Sequence, residues 1–296
     1  MPFLGELSAL SAAFLWSFSS FLFTNMTIKI GTVQLNTWRL ILAAVLLFFT
    51  MLIFNIPYSF NSTQLIYLVL SGVIGLVLGD SFLFAAFKEI GPRVGMLVMS
   101  SNPAMAAILA FIILKESLSF WAVLGMIITL VGIFIVIMNN TPSETNRFKI
   151  SVRGVLYGFL AAVGQAIGLI LAKLAMMNGE INGLTATIIR IVAAAIVILP
   201  IGIIAGKMKN PVTLFLKDFK LFGLIILGSI IGPYLGITLS YISIMHTKIG
   251  IASTLMSTVP ILMLPLSKIF YKEKLSISAI FGAIIAVAGV SILFLR

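Results

Sequence analysis

The sequence has no cysteine and a single histidine, His246. No disulfide, thiolate nucleophile or Cys/His metal site can be built from it. Charge is scarce as well: 9% of the residues are Asp, Glu, Lys or Arg, against about 25% in ordinary soluble domains. A chain this poor in charge and 61% hydrophobic cannot cover a water-facing surface. It has no glycine-rich phosphate loop of the ATPase kind, so direct nucleotide drive is not expected. It also lacks the pattern of membrane β-barrels, whose strands alternate in polarity over about ten residues. Met1-Pro2-Phe3 carries no basic stretch and no small-residue cleavage site follows, so the first apolar run reads as a spanning helix and not as a leader.

What is present is a series of apolar runs long enough to cross a bilayer, which takes about twenty residues of helix. Ten lie at roughly 4–28, 33–54, 64–87, 94–114, 118–138, 152–176, 183–206, 220–245, 250–270 and 276–295. The connections are short, which makes sequential helices spatial neighbours. The expected fold class is an all-α integral membrane protein with ten transmembrane helices. The net charge of +11 invites a nucleic-acid reading, but the Lys and Arg residues sit in the connections, where membrane topology puts them. Nucleic acid is not an expected partner.

The polar stretch 139–151, which opens with the Pro-, Asn- and Ser-rich run from Asn139 to Arg147, marks a linker, placed at 141–151. It separates a first half, 1–140, from a second, 152–296. A shift of 157 residues lays Gly75 on Gly232, Gly79 on Gly236, Pro103 on Pro260, Glu116 on Glu273, Gly125 on Gly282 and Gly132 on Gly289. Earlier in each half, a shift of 151 lays Arg39 on Arg190. A shift of 149 lays Gly5 on Gly154 and Trp16 on Gln165. The halves are repeats. Each has five helices, an odd number, so the second enters the membrane from the opposite side. Inverted repeats of this kind mark secondary transporters, with the site near the midplane where the repeats meet.

Three segments also carry a resemblance. They are Ala13-Phe14-Leu15-Trp16-Ser17, the run from Gly79-Asp80-Ser81 through Ser101-Asn102-Pro103 to Lys115-Glu116, and the run from Gly232-Pro233-Tyr234-Leu235-Gly236 through Ser257-Thr258-Val259-Pro260 to Tyr271-Lys272-Glu273. Together with Arg39 and Arg190, they resemble the EamA-type transporters of the drug/metabolite transporter superfamily over essentially the full chain. The resemblance implies two EamA-type repeats and a central cavity lined mainly by the first, third, fourth, sixth, eighth and ninth helices. It also implies alternating access and small-molecule export or exchange. It implies no particular substrate.

Orientation is a point of tension. Thirteen Lys and Arg residues lie in the connections on the side opposite the N-terminus and three on the N-terminal side. The positive-inside rule then puts both termini outside, whereas the resemblance implies termini in the cytoplasm.

Ionisable groups inside the hydrocarbon core are costly and mark candidate sites. Asp80 is the acidic residue well inside a helix, about 10 Å deep. It is read either as a binder of a cation or a proton, or as a structural hydrogen-bond or ion-pair partner. Arg39 and Arg190 recur in both repeats. They are read as scaffold groups whose long side chains reach the interface, or as a gate ion pair or anion site. Trp16 and Gln165 sit at equivalent mid-helix places and suit either a cavity wall or a helix-packing contact. Ser17, Asn102, Ser257 and Thr258 are smaller cavity candidates that could equally bond backbone carbonyls. Pro103 and Pro260 kink their helices, and Gly79 and Gly236 allow close helix packing. Ser119 and Ser276 read as N-caps.

The functional expectation is a secondary transporter in the cytoplasmic membrane, not an enzyme, with no cofactor or metal. Its partners would be a small metabolite, membrane lipid, and a proton or counter-substrate. The substrate expected is neutral, zwitterionic or moderately hydrophobic, not a multiply charged phosphate. The alternative is a membrane-embedded enzyme or flippase acting on a lipid-linked substrate, which would call for clustered acidic or His residues.

Overall fold

A computed structural model describes residues 3–115, 117–138, 148–208, 210, 218–247 and 249–294. Most of the linker and Glu116 lie outside the described residues. Among the described residues all the regular secondary structure is helical. Eight helices are long and apolar enough to cross a membrane, and two shorter apolar helices, Asn102–Leu114 and Ile277–Leu293, complete the set. One of the eight, Ser62–Met99, runs for 38 residues. As a straight helix it would be about 57 Å long, far more than the roughly 30 Å of hydrocarbon. Gly91, with φ 76° and ψ 165°, divides it. Pro92 follows at once and has no amide proton to continue the ladder. The third crossing therefore ends there and the fourth begins.

In order, the crossings start with Leu4–Ile30 and Thr32–Ile53. The third runs from Ser62 to the break at Gly91, and the fourth continues from it through Asn102–Leu109 to a wide turn at Ala110–Leu114. Phe120–Met138, Val152–Met177 and Gly183–Ile204 are the fifth, sixth and seventh. The eighth joins Phe219–Ser229 to Leu235–His246, and the ninth joins Ile249–Met256 to Val259–Tyr271. Ile277–Phe294 is the tenth. All ten sequence-derived segments appear, with ends displaced by only a few residues. Ser119 and Ser276 accept hydrogen bonds from the amides of Ala122 and Ala279, each at 3.2 Å, and cap the fifth and tenth crossings.

The packing displays the inverted repeat. The fifth and tenth crossings run antiparallel on a seam of four glycines. Gly125 faces Gly289, and Gly132 faces Gly282 and Ala286. A Cβ added at Gly132 would lie 2.4 Å from the Ala286 amide nitrogen, so only glycine permits this approach. The third and sixth crossings also pack antiparallel: Gly75 meets Gly168, Gly79 meets Gly164, and Ile90 meets Gly154. The equivalent pair in the other copy is the eighth crossing on the first. There Gly228 and Gly232 meet Phe23, Gly236 meets Trp16, and Gly5 meets Thr247. Each long contact thus joins one repeat to the other. The second and seventh crossings pair in the same way, through Leu40, Leu47 and Met51 against Ile188, Ile191 and Ile198.

Large apolar side chains on the outer faces, such as Phe48, Phe134, Ile196 and Phe281, are 49–66% exposed. In a water-soluble protein such a belt would be a liability; here it faces lipid.

Candidate functional site

The third and eighth crossings each widen into a π-type segment, Gly72–Gly79 and Ile230–Tyr234. Such segments shift the phase of the side chains that follow and recur at functional sites. Asp80 comes directly after the first, its amide bonded back to the Gly75 carbonyl. The fourth and ninth crossings are interrupted at corresponding places. Asn102 and Val259 restart them, with Pro103 and Pro260 in the first turn, where a missing amide proton costs nothing. The prolines thus mark where a helix resumes, a sharper feature than a bend within a continuous helix.

These irregular segments surround a cavity of about 610 Å³ to which both repeats contribute. The first crossing supplies Trp16, Ser19, Ser20 and Phe23, the third Leu76, Asp80 and Phe84, and the fourth Met96, Asn102 and Pro103. From the second repeat come Gln165, Ile237, Ser240, Ser253, Ser257 and Pro260. The second and seventh crossings also contribute, through Arg39, Leu40, Thr187, Arg190 and Ile191, and Val290 of the tenth touches the wall. The lining is therefore broader than the six helices that the resemblance implies.

Asp80 is 5% exposed and Arg39 is 8% exposed. Arg39 Nη2 donates to Asp80 Oδ2 in a buried ion pair. Gln165 Nε2, from the other repeat, donates to Asp80 Oδ1. Arg39 Nη2 also donates to Asn36 Oδ1 at 2.9 Å, and the Asn36 amide donates to the Leu76 carbonyl at 2.8 Å and to Ser81 Oγ at 3.2 Å. The guanidinium carbon lies 5.1 Å from the Phe84 ring centre and 5.7 Å from that of Phe23, within cation–π range. Arg39 therefore does not reach for the interface as its position near a helix end suggests. It turns inward, because a carboxylate, an amide and two aromatic faces replace its water.

Arg190 also lines the cavity. A Cβ placed on Gly75 would sit 3.6 Å from Arg190 Nη2 and 3.8 Å from Gln165 Oε1, which sets this guanidinium beside the Asp80–Gln165 contact. Its Nε is buried without a hydrogen-bond partner, and none of the ion pairs among the described residues includes it.

The remaining candidates divide. Trp16 and Asn102 are on the wall, and Asn102 Nδ2 donates to the Ala162 carbonyl at 3.0 Å, bridging the repeats. Ser257 is on the wall but bonds the Thr254 carbonyl. Ser17 is fully buried away from the cavity and bonds the Ala13 carbonyl at 2.7 Å. Thr258 bonds the Leu255 carbonyl at 2.7 Å and is not among the lining residues. Gly79 packs on Gln165 and Gly164, and Gly236 lies so close to Trp16 that a Cβ would come within 2.2 Å of the indole nitrogen.

The ends of the cavity differ. Toward the face with the 3–4 and 9–10 connections the wall is aromatic and closed: Phe23 is 5%, Phe84 2% and Phe87 1% exposed. Beyond it, Arg93 Nε donates to Glu273 Oε2 at 2.7 Å in a buried ion pair joining the repeats. Toward the N-terminal face lie Thr187, Ser240 and Ser253, each half-buried.

Neither Arg93 nor Glu273 was singled out from the sequence as a site residue. The 157-residue shift was a usable signal: it puts Gly250 in the place of Arg93, so this ion pair belongs to one face only. Asn36, one helical turn before Arg39, was also missed.

Among the described residues no group of three or more His, Asp or Glu is placed to hold a metal ion.

Comparison with known proteins gives a consistent result. The model of the EamA-like transporter family matches twice, over residues 3–138 and 152–295. The human protein named Solute carrier family 35 member G1 is 26% identical over 170 residues, 56% of this chain and 46% of that one, so the chain matches about half of that relative's length. The Bacillus subtilis (strain 168) protein named Uncharacterized transporter YyaM is 26% identical over 257 residues, covering 86% of this chain and 81% of its own. An uncharacterized transporter of Archaeoglobus fulgidus is 22% identical over 292 residues, 98% of this chain and 97% of that one. A crystal structure superposes with a TM-score of 0.68 at 17% identity, over 98% of this chain and 96% of its own, a likeness of fold alone. Two matched repeats, ten crossings and a cavity between the halves agree: the chain belongs to the EamA-like transporter family of the drug/metabolite transporter superfamily.

Proposed function

We propose that this protein is a secondary transporter of the cell membrane, an exporter or exchanger of a small polar, zwitterionic or amphiphilic metabolite, working by alternating access. The observation that carries the reading is the 610 Å³ cavity lined by both repeats, with the Arg39–Asp80–Gln165 cluster on its wall. A volume of this order holds a small organic molecule. Mostly apolar walls with a few polar groups suit a ligand that is partly apolar.

The inverted repeat supplies the second state. If the two halves exchange conformations, the closed end opens and the open end closes around the same central residues. The Arg93–Glu273 pair then acts as a latch between repeats on the closed face. By the charge count that face is cytoplasmic and the cavity opens outward. Asp80 serves as the hub, since its carboxylate joins a cation of one repeat to an amide of the other. A proton or a counter-substrate provides the coupling.

The test is flux. Purified protein in vesicles is expected to exchange internal for external metabolite for at least one member of a broad library, and Asp80→Asn is expected to lose most of it. Failure of every compound to exchange, with protein shown to be folded and inserted, would contradict the transporter reading.

A further inference from the structure

Three ionised side chains line the cavity: Arg39, Asp80 and Arg190. Asp80 Oδ2 accepts from Arg39 and Oδ1 from Gln165. Two guanidinium groups thus stand around one carboxylate, and the cavity keeps one positive charge in excess. The repeat explains why. The residue equivalent to Asp80 in the second half is Ile237, also on the cavity wall. Arg190 thus occupies the place of Arg39 with no carboxylate of its own repeat to pair with. A guanidinium enclosed in a membrane protein is costly unless an anion meets it. Among the described residues Asp80 is the carboxylate that acts on Arg190, and its single charge cannot neutralise two guanidinium groups.

We infer that the cavity binds a monoanionic organic acid, its carboxylate taking Arg190 and its apolar body lying along Trp16, Met96 and Ile237. This rests on the transport reading of the same cavity. It narrows the substrate class within that reading.

The chemistry argues for carboxylate over its rivals. A planar guanidinium presents two parallel donors that match the two oxygens of a carboxylate. A phosphate monoester carries close to two charges, and one excess positive charge neutralises only one of them. A zwitterionic amino acid brings an ammonium group as well, which adds a positive charge to a cavity that already holds one in excess and leaves that excess uncompensated. A neutral amide leaves Arg190 as uncompensated as before. Apolar residues surround these few polar groups, which disfavours a fully hydrophilic acid.

The test uses the purified full chain in detergent and then in vesicles. The probes are benzoate, phenylacetate and hexanoate, with phenylacetamide and phenylalanine as neutral and zwitterionic counterparts. Ligand-dependent rise in melting temperature reads binding without requiring flux. At least one of the three acids is expected to protect the wild type, the amide and the amino acid are not, and Arg190→Gln is expected to bind that acid at least about tenfold more weakly. Arg190→Lys is expected to recover part of the loss, because charge is restored without the fork. Unliganded Arg190→Gln is expected to melt no lower than the wild type, since it removes the excess cation and leaves Asp80 paired with Arg39. The inference is overturned if none of the acids protects, if the amide or amino acid protects as well as the acids, or if Arg190→Gln binds them unchanged. A large fall in the melting temperature of unliganded Arg190→Gln overturns it too, by making Arg190 a structural partner. Flux is read separately. An acid that binds through Arg190 but does not exchange keeps the carboxylate site and removes the transport reading, whereas amino-acid exchange that Arg190→Gln leaves intact keeps transport and removes the carboxylate site.

Discussion

At the scale of single residues, Asp80 organises the cavity. Removing its charge leaves Arg39 buried among Phe23, Phe84 and Asn36 without its anion. Breaking a buried pair from one side costs about 3–5 kcal/mol. Asp80→Asn is therefore expected to lower the melting temperature of the purified protein markedly. Arg39→Gln alone is expected to do the same. The double variant is expected to be more stable than the sum of the two losses allows, because neither charge then lacks a partner. Additive losses in this cycle would mean that the two side chains do not depend on each other.

Much of this residue-level chemistry was legible one residue at a time. Asp80, Arg39, Arg190, Trp16 and Gln165 stand out in the sequence as polar or amphipathic groups inside apolar runs. Their pairing was not, since Arg39 and Asp80 are 41 positions apart and Asp80 and Gln165 are 85 apart. An arginine near a helix end can also turn outward or inward with the same sequence around it. Ser17 shows the cost of ignoring phase. Trp16, Ser19, Ser20 and Phe23 follow the i, i+3, i+4, i+7 rhythm of one helix face and all line the cavity, while Ser17 is rotated about 100° from Trp16 and bonds its own helix.

At the scale of elements, glycine seams set how closely the repeats meet. Gly164 would place a Cβ 3.0 Å from the Gly79 Cα, backbone that cannot swing aside. Gly164→Val is expected to destabilise by about 1–3 kcal/mol through forced separation of the third and sixth crossings, read as a lower melting temperature. Gly236→Ala meets the Trp16 indole instead, a side chain able to rotate. It is expected to leave the fold largely intact and to reduce flux by moving Trp16 on the cavity wall. Equal stability losses in the two variants would argue against this distinction. The seams were readable because small residues at helical spacing recur in both halves. The π-type segments and the breaks at Gly91 and before Pro103 and Pro260 were readable only as places rich in glycine and proline. How far each one turns the chain depends on what packs against it.

At the scale of the whole molecule, the lipid requirement made the fold legible. Each crossing must satisfy its own backbone and present apolar side chains, so ten apolar runs appear in sequence as ten helices in space. The asymmetry of the two faces was less visible, because it depends on one pair, Arg93 and Glu273, 180 residues apart. Glu273→Gln is expected to weaken closure of that face and raise the accessibility of Phe87→Cys to a thiol reagent. Unchanged labelling would mean that the aromatic wall closes the face unaided.

The absence of native cysteine makes the most direct test of alternating access clean. Arg93→Cys with Glu273→Cys, joined by a short bis-methanethiosulfonate linker, would tie the repeats together on the closed face. Flux of the substrate is expected to persist in the unlinked double variant, to stop when the link forms, and to return when a reducing thiol cleaves it. Flux that continues with the link in place would show that this face need not open, and would contradict transport by alternation of the two repeats around the cavity.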